Sequence, residues 1–117
     1  MQGEWKDATY AEYAKTPVEN CHLLKESFLL GKLGYAVEDI ADISRLVVPY
    51  GGLRDIDIKA GETVIIAPAT GPFGSAAVTV ALAMGLRVIA MGRNLSILQR
   101  LAASHSRVEM VRSPAMW

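Results

Sequence analysis

Residues 67–76 read APATGPFGSA, with VII (64–66) before them and AVTVALAMG (77–85) after them. A β-branched run closes on small residues, and an alanine- and valine-rich stretch of helical pattern opens within the same ten residues. The positions Ala69-x-Gly71-x-x-Gly74 fit the dinucleotide fingerprint, with alanine in place of its first glycine. In that motif the first small residue makes the tight turn, the second lets the backbone approach a pyrophosphate, and the third packs helix against strand. Free N–H groups at the helix start, aided by its dipole, would hold phosphate oxygens. Pro72 removes one donor but suits a first helical turn, where its fixed φ is wanted. The expected donors are the N–H groups of Gly71 and Phe73, with the hydroxyl of Thr70 or Ser75 in support.

Two other glycine motifs fail on reading. A P-loop would need Gly-Lys-Ser/Thr five residues after its first glycine, and Gly71 is followed by PFGSAA. A Gly-x-x-x-Gly-x-Gly pattern would need glycines where Ser75 and Ala77 stand. The plain alternative is a strand-to-helix turn that holds no ligand.

About twenty residues on, such sites place an acid on the adenosine ribose. Here the second apolar run, RVIAM (87–91), ends in Gly92-Arg93-Asn94, with no acid. An acid would repel a 2′-phosphate. A glycine leaves room for one, and a guanidinium beside it supplies a bidentate, permanently charged partner. The pattern favours NADP(H) over NAD(H). Arg100 reads as exposed surface.

Outward from this centre, residues 63–67 and 87–91 read as strands buried on both faces. Residues 71–84 read as a helix stopped by Gly85. Asn94 is placed to cap a helix carrying Leu95, Leu98, Leu101 and Ala102, and residues 108–111 begin a third strand. Strand, helix, strand, helix, strand with short links predicts a parallel sheet with right-handed crossovers. Upstream, Val37, Ile40, Ile43, Leu46 and Val47 fall at helical spacing, with Glu38 and Asp39 in the first turn. Pro49 is expected to end that run and start a second short helix, which Gly51-Gly52 would weaken. Gly31 and Gly34 punctuate a loop. Residues 8–15, ATYAEYAK, carry a strand signal, and CHLL (21–24) a second one, with a turn at Pro17 and Asn20 between them.

The chain has 117 residues, 51% of them hydrophobic, and no net formal charge, which bounds it to one compact domain of α/β-like composition. Balanced charge gives no argument for a nucleic-acid or membrane-surface partner. Its single cysteine, Cys21, cannot form an internal disulfide, which fits a reducing, cytoplasmic location. No apolar stretch reaches the roughly 20 residues that span a bilayer. Cys21-His22 is a poor metal pair, because neighbours on a strand point to opposite faces and the one other histidine is His105. No metal site is expected.

The stretch GETVIIAPATGPFGSAAVTVALAMGLRVIAMGRN resembles the cofactor-binding core of the medium-chain dehydrogenase/reductase superfamily, the relatives of alcohol dehydrogenase and quinone oxidoreductase. DATYAEYAKTPVENCHLL is similar to the end of that family's GroES-like catalytic domain. GYAVEDIADISRLVVPYGGLRDIDIKAGETV looks like the connector that leads into the first Rossmann strand. The match runs in one order over residues 7–111. It implies an α/β fold: the first half of a Rossmann-type parallel sheet (61–117), preceded by the end of a GroES-like β segment (1–34) and a helical connector (35–60). It assigns pyrophosphate contacts to the backbone of Gly71, Pro72 and Phe73, packing to Gly74, and the adenosine-phosphate end to Gly92, Arg93 and Asn94. It implies NADP(H) as cofactor and hydride transfer to or from a carbonyl, alcohol, enone or quinone. The full-length relatives act on a small-molecule substrate, and a homo-oligomer is in keeping with them.

Pro72 departs from the commoner glycine. The resemblance also implies further chain on both sides, so the sequence reads as a truncated product without turnover of its own. Catalytic residues are not assigned. Tyr50, which the resemblance places near the nicotinamide side, reads more simply as a packing residue. Two other readings stand beside the enzyme. One is a non-catalytic nucleotide-binding or dimer-forming remnant whose open sheet edge a partner covers. The other is a ligand-free βαβ module.

Overall fold

The computed structural model describes residues 11–114 and divides the chain into two compact units, Met1–Ala36 and Val37–Trp117. In the first unit, the described residues form a 3₁₀ turn at Val18–Asn20 and a π-helical segment at Ser27–Lys32. Pro17 holds φ at −57°, its carbonyl accepts from the Asn20 N–H at 3.0 Å, and Val18 accepts from Cys21. The strand expectations for residues 11–15 and 21–24 are therefore corrected: Cys21 is extended, but the described part of this unit contains no strand. An extended segment without a neighbour cannot place its N–H and C=O groups in a ladder. Residues 8–10 of that expectation lie outside the described residues. The loop reading at Gly31 is corrected too, since it sits within the π-helical segment. Gly34, at φ 73°, takes the left-handed conformation that follows it.

The second unit opens with α1 (Val37–Ala41), which carries Glu38 and Asp39 in its first turn as expected. The next helix, α2 (Ile43–Asp55), runs straight through Pro49 and Gly51-Gly52 instead of stopping. Proline in a helix interior removes one N–H and crowds the carbonyl four residues back. That cost is local. It is offset by packing of α2 along α3, with Leu53 buried in the core.

Three strands follow: β1 (Thr63–Ile66), β2 (Arg87–Gly92) and β3 (Val108–Arg112). They alternate with α3 (Pro72–Ala83) and α4 (Leu95–Ser104). The sheet is parallel in the order β1-β2-β3, with Ile66 beside Ala90 and Val88 beside Val108. Both crossovers step the same way, so α3 and α4 cover one face. On that face Val88 is 1% exposed, and Ile66, Ala90 and Val108 are buried with Val78, Ala81, Leu86 and Leu98. The other face is more open: Ile65 is 63% and Val111 43% exposed, and Ile89 and Met91 between them are half-buried. The expectation of strands buried on both faces thus holds for one face alone. None of the described helices is long and apolar enough to cross a membrane.

Candidate functional site

The link from β1 to α3 begins with a cis Ala67–Pro68 bond and is pinned by Ala69. Ala69 is fully buried, and its N–H donates to the Met91 carbonyl at 2.7 Å. This bond holds the loop beside the end of β2. Gly71 is the N-cap of α3, extended at φ −92° and ψ 172°, and Pro72 takes the first helical position. The Gly71 carbonyl accepts from the Ser75 N–H at 2.8 Å, which closes the first helical turn.

The two glycines three apart do different things. A Cβ on Gly74 would lie 1.9 Å from the Pro68 carbonyl oxygen and 3.0 Å from Ala69 Cα, so only glycine lets α3 start this close to the strand it leaves. A Cβ on Gly71 would meet open space. Gly74 is therefore the packing glycine, and Gly71 faces outward.

First-turn N–H groups have no partner in their own helix. No side chain caps α3, and among the described residues the N–H groups of Gly71 and Phe73 have no acceptor outside the helix ladder. Phe73 is 55% exposed beside them. The supporting hydroxyls fare differently. Ser75 Oγ donates to the Pro72 carbonyl at 3.1 Å, so its proton is already committed within the turn.

At the end of β2, Gly92 is buried, and the space its side chain would need is filled by Thr70: Cγ2 lies 2.8 Å from the Cβ position. A side chain at this position would therefore meet Thr70 first. Arg93 comes next, exposed and with no hydrogen-bond or ion-pair partner among the described residues. Asn94 is the N-cap of α4, and its Oδ1 accepts from the Ile97 N–H at 3.2 Å and from Ser96 Oγ at 2.8 Å. Its oxygen thus serves the helix; its amide protons remain for a ligand. The structure brings Thr70, Gly71, Pro72, Phe73 and Gly74 to the C-terminal end of the sheet beside Gly92 and Arg93.

Tyr50 is elsewhere. It lines an apolar groove with Val47, Ala83 and Met84 against the last turns of α3, and its hydroxyl accepts from Arg54 at 3.5 Å. The ring is 44% exposed, so it packs only in part. No group of three or more His, Cys, Asp or Glu side chains among the described residues is placed to hold a metal.

One functional part of the helix escaped sequence reasoning. Arg107, at the approach to β3, donates to the Leu82 carbonyl at 2.9 Å and the Leu86 carbonyl at 3.2 Å, at the C-terminal end of α3. The partners are 21 and 25 residues away, so no local pattern marks it.

No family model matches the chain. Among solved structures, it is similar to the quinone oxidoreductase from Thermus thermophilus, whose structures include a complex with NADPH. The two are 34% identical with a TM-score of 0.52, over 58% of this chain and 22% of that enzyme, so the matched region is less than a quarter of the enzyme's length. Three parallel strands joined by two helices, opening on Ala69-x-Gly71-x-x-Gly74, are a Rossmann-type half-domain.

Proposed function

We propose that this chain carries the NADP(H)-binding half of an oxidoreductase of the medium-chain dehydrogenase/reductase type. The observation that carries the reading is the pair of uncapped N–H groups at Gly71 and Phe73, beside an unpartnered Arg93 on the adjacent strand end. The likeness to an enzyme solved with NADPH supports the same choice of cofactor.

The residues fit the group. Gly74 seats the helix start against the strand, and the open side of Gly71 lets a diphosphate reach the backbone. Gly71 and Phe73 would donate main-chain hydrogen bonds to it, helped by the positive end of α3. Arg93 would bind a 2′-phosphate in a charge-assisted, bidentate manner, and the Asn94 amide protons would add to it. Bound NADPH would supply the hydride; the carbonyl, enone or quinone that receives it is part of the proposal.

Titration of the chain and of Arg93→Ala with NADPH and NADH tests this. The substitution should weaken NADPH by about 1.5–3 kcal/mol and leave NADH nearly unchanged. Equal losses for both would remove Arg93 from the phosphate site. A second reading, a nucleotide-binding module that pairs with a partner and turns nothing over itself, is favoured by the exposure of Ile65 and Val111 on one sheet face. NADPH oxidation with a panel of quinones and aldehydes separates the two: turnover above background excludes the second.

A further inference from the structure

Thr70 and Gly92 are a matched pair. A Cβ on Gly92 would sit 2.8 Å from Thr70 Cγ2, closer than carbon atoms pack, and 3.2 Å from Thr70 Oγ1, a tight contact. Retreat of the backbone is resisted, because Ala69, next to Thr70, is hydrogen-bonded at 2.7 Å to Met91, next to Gly92. Threonine is branched at Cβ and stiff at χ1, so turning it tends to exchange methyl for hydroxyl in the same narrow space.

The end of this strand is where a nucleotide site that selects a free ribose keeps its acid. Here the acid is absent, and the place its Cβ would occupy is filled from the phosphate loop. We infer that Thr70 is a specificity-determining residue. By filling the side-chain position of residue 92, it excludes a carboxylate that would hydrogen-bond an adenosine 2′-hydroxyl and leaves the neighbouring Arg93 to face a 2′-phosphate. This rests on the NADP(H) reading and adds to it: the choice of cofactor belongs to two residues, one on the loop after β1 and one at the end of β2, and an acid at position 92 needs a change at Thr70.

The steric half is read without any nucleotide. Gly92→Ala should lower the urea midpoint of unfolding, and Thr70→Ala/Gly92→Ala should restore it to near that of Thr70→Ala. The double variant recovers because Thr70 Cβ is 3.5 Å from the new Cβ, an ordinary contact. Additive losses would overturn the inference. For the cofactor half, NADPH and NADH are titrated against Gly92→Asp and Thr70→Ala/Gly92→Asp. The single variant should lose NADPH and gain no NADH. The double should bind NADH at least ~10-fold more tightly than the single, the worth of one hydrogen bond to a charged group. If Gly92→Asp alone takes NADH as well as the double does, the inference fails and the cofactor reading stands. A wild-type chain that binds neither dinucleotide ends the cofactor reading, and the role of Thr70 in selectivity ends with it, whatever the unfolding data show.

Discussion

At its C-terminal end α3 turns through Gly85 in the left-handed conformation at φ 86°, with Leu86 N–H on the Ala81 carbonyl and Gly85 N–H on that of Leu82. The Arg107 guanidinium then closes on Leu82 and Leu86, a cation at the negative end of the helix dipole. At its N-terminal end the same helix starts on a glycine, with no capping side chain and with a proline at the first position. One end has its carbonyls satisfied by the fold. The other keeps donors that nothing in the described structure uses. A helix that spent both ends on stability would look like the first twice over. This asymmetry separates the part of α3 that holds the fold from the part that is free to meet a ligand.

The sharpest way to break the contrast is at Gly74. Gly74→Ala would press a methyl group onto the Pro68 carbonyl oxygen, and we expect a loss of about 3 kcal/mol or more by urea unfolding. Gly71→Ala, three residues away and facing open space, should cost under about 1 kcal/mol, the difference between glycine and alanine at an N-cap. If the two substitutions cost the same, the division of labour between the glycines is wrong. Next comes Arg107→Ala, which removes the two guanidinium hydrogen bonds at the closed end of α3. About 1.5–3 kcal/mol should be lost, with dinucleotide affinity unchanged in the folded protein. Asn94→Ala removes the cap of α4 and should cost ~1 kcal/mol in the same assay. The smallest effect is one of salt. Raising ionic strength should weaken NADPH binding slightly more than NADH binding, because the Arg93–phosphate attraction is screened at an exposed site. Equal salt dependence would count against that contact.

What the sequence showed and what it hid follow from the range of the interactions involved. The bounds of α3 could be read from Gly71-Pro72 and Gly85, and the start of α4 from Asn94, because caps and stops are written within a few residues of the turn they make. The strands could be read from their β-branched runs, but periodicity says nothing about whether a second layer exists, so Ile65 was expected inside and is outside. Helix α2 continues through Pro49 because α3 lies along it, and α3 is formed by residues more than twenty positions later. At the site, the loop and the strand end were legible separately. That Thr70 fills the place of a Gly92 side chain depends on β1 and β2 being neighbours, with Ile66 paired to Ala90. The commitment of Ser75 to Pro72 is local but rotamer-dependent, and residue type alone does not reveal it.

The apolar residues exposed on one sheet face have a consequence for handling the protein in solution. Ile65, Ile89, Met91 and Val111 lie together there, flanked by Arg87 and Glu109 as charged gatekeepers. Contiguous oily surface of this kind draws molecules together as concentration rises. Sulfate and other excluded salts strengthen that pull. The purified chain should therefore be least soluble in the same precipitants that crystallographers reach for first.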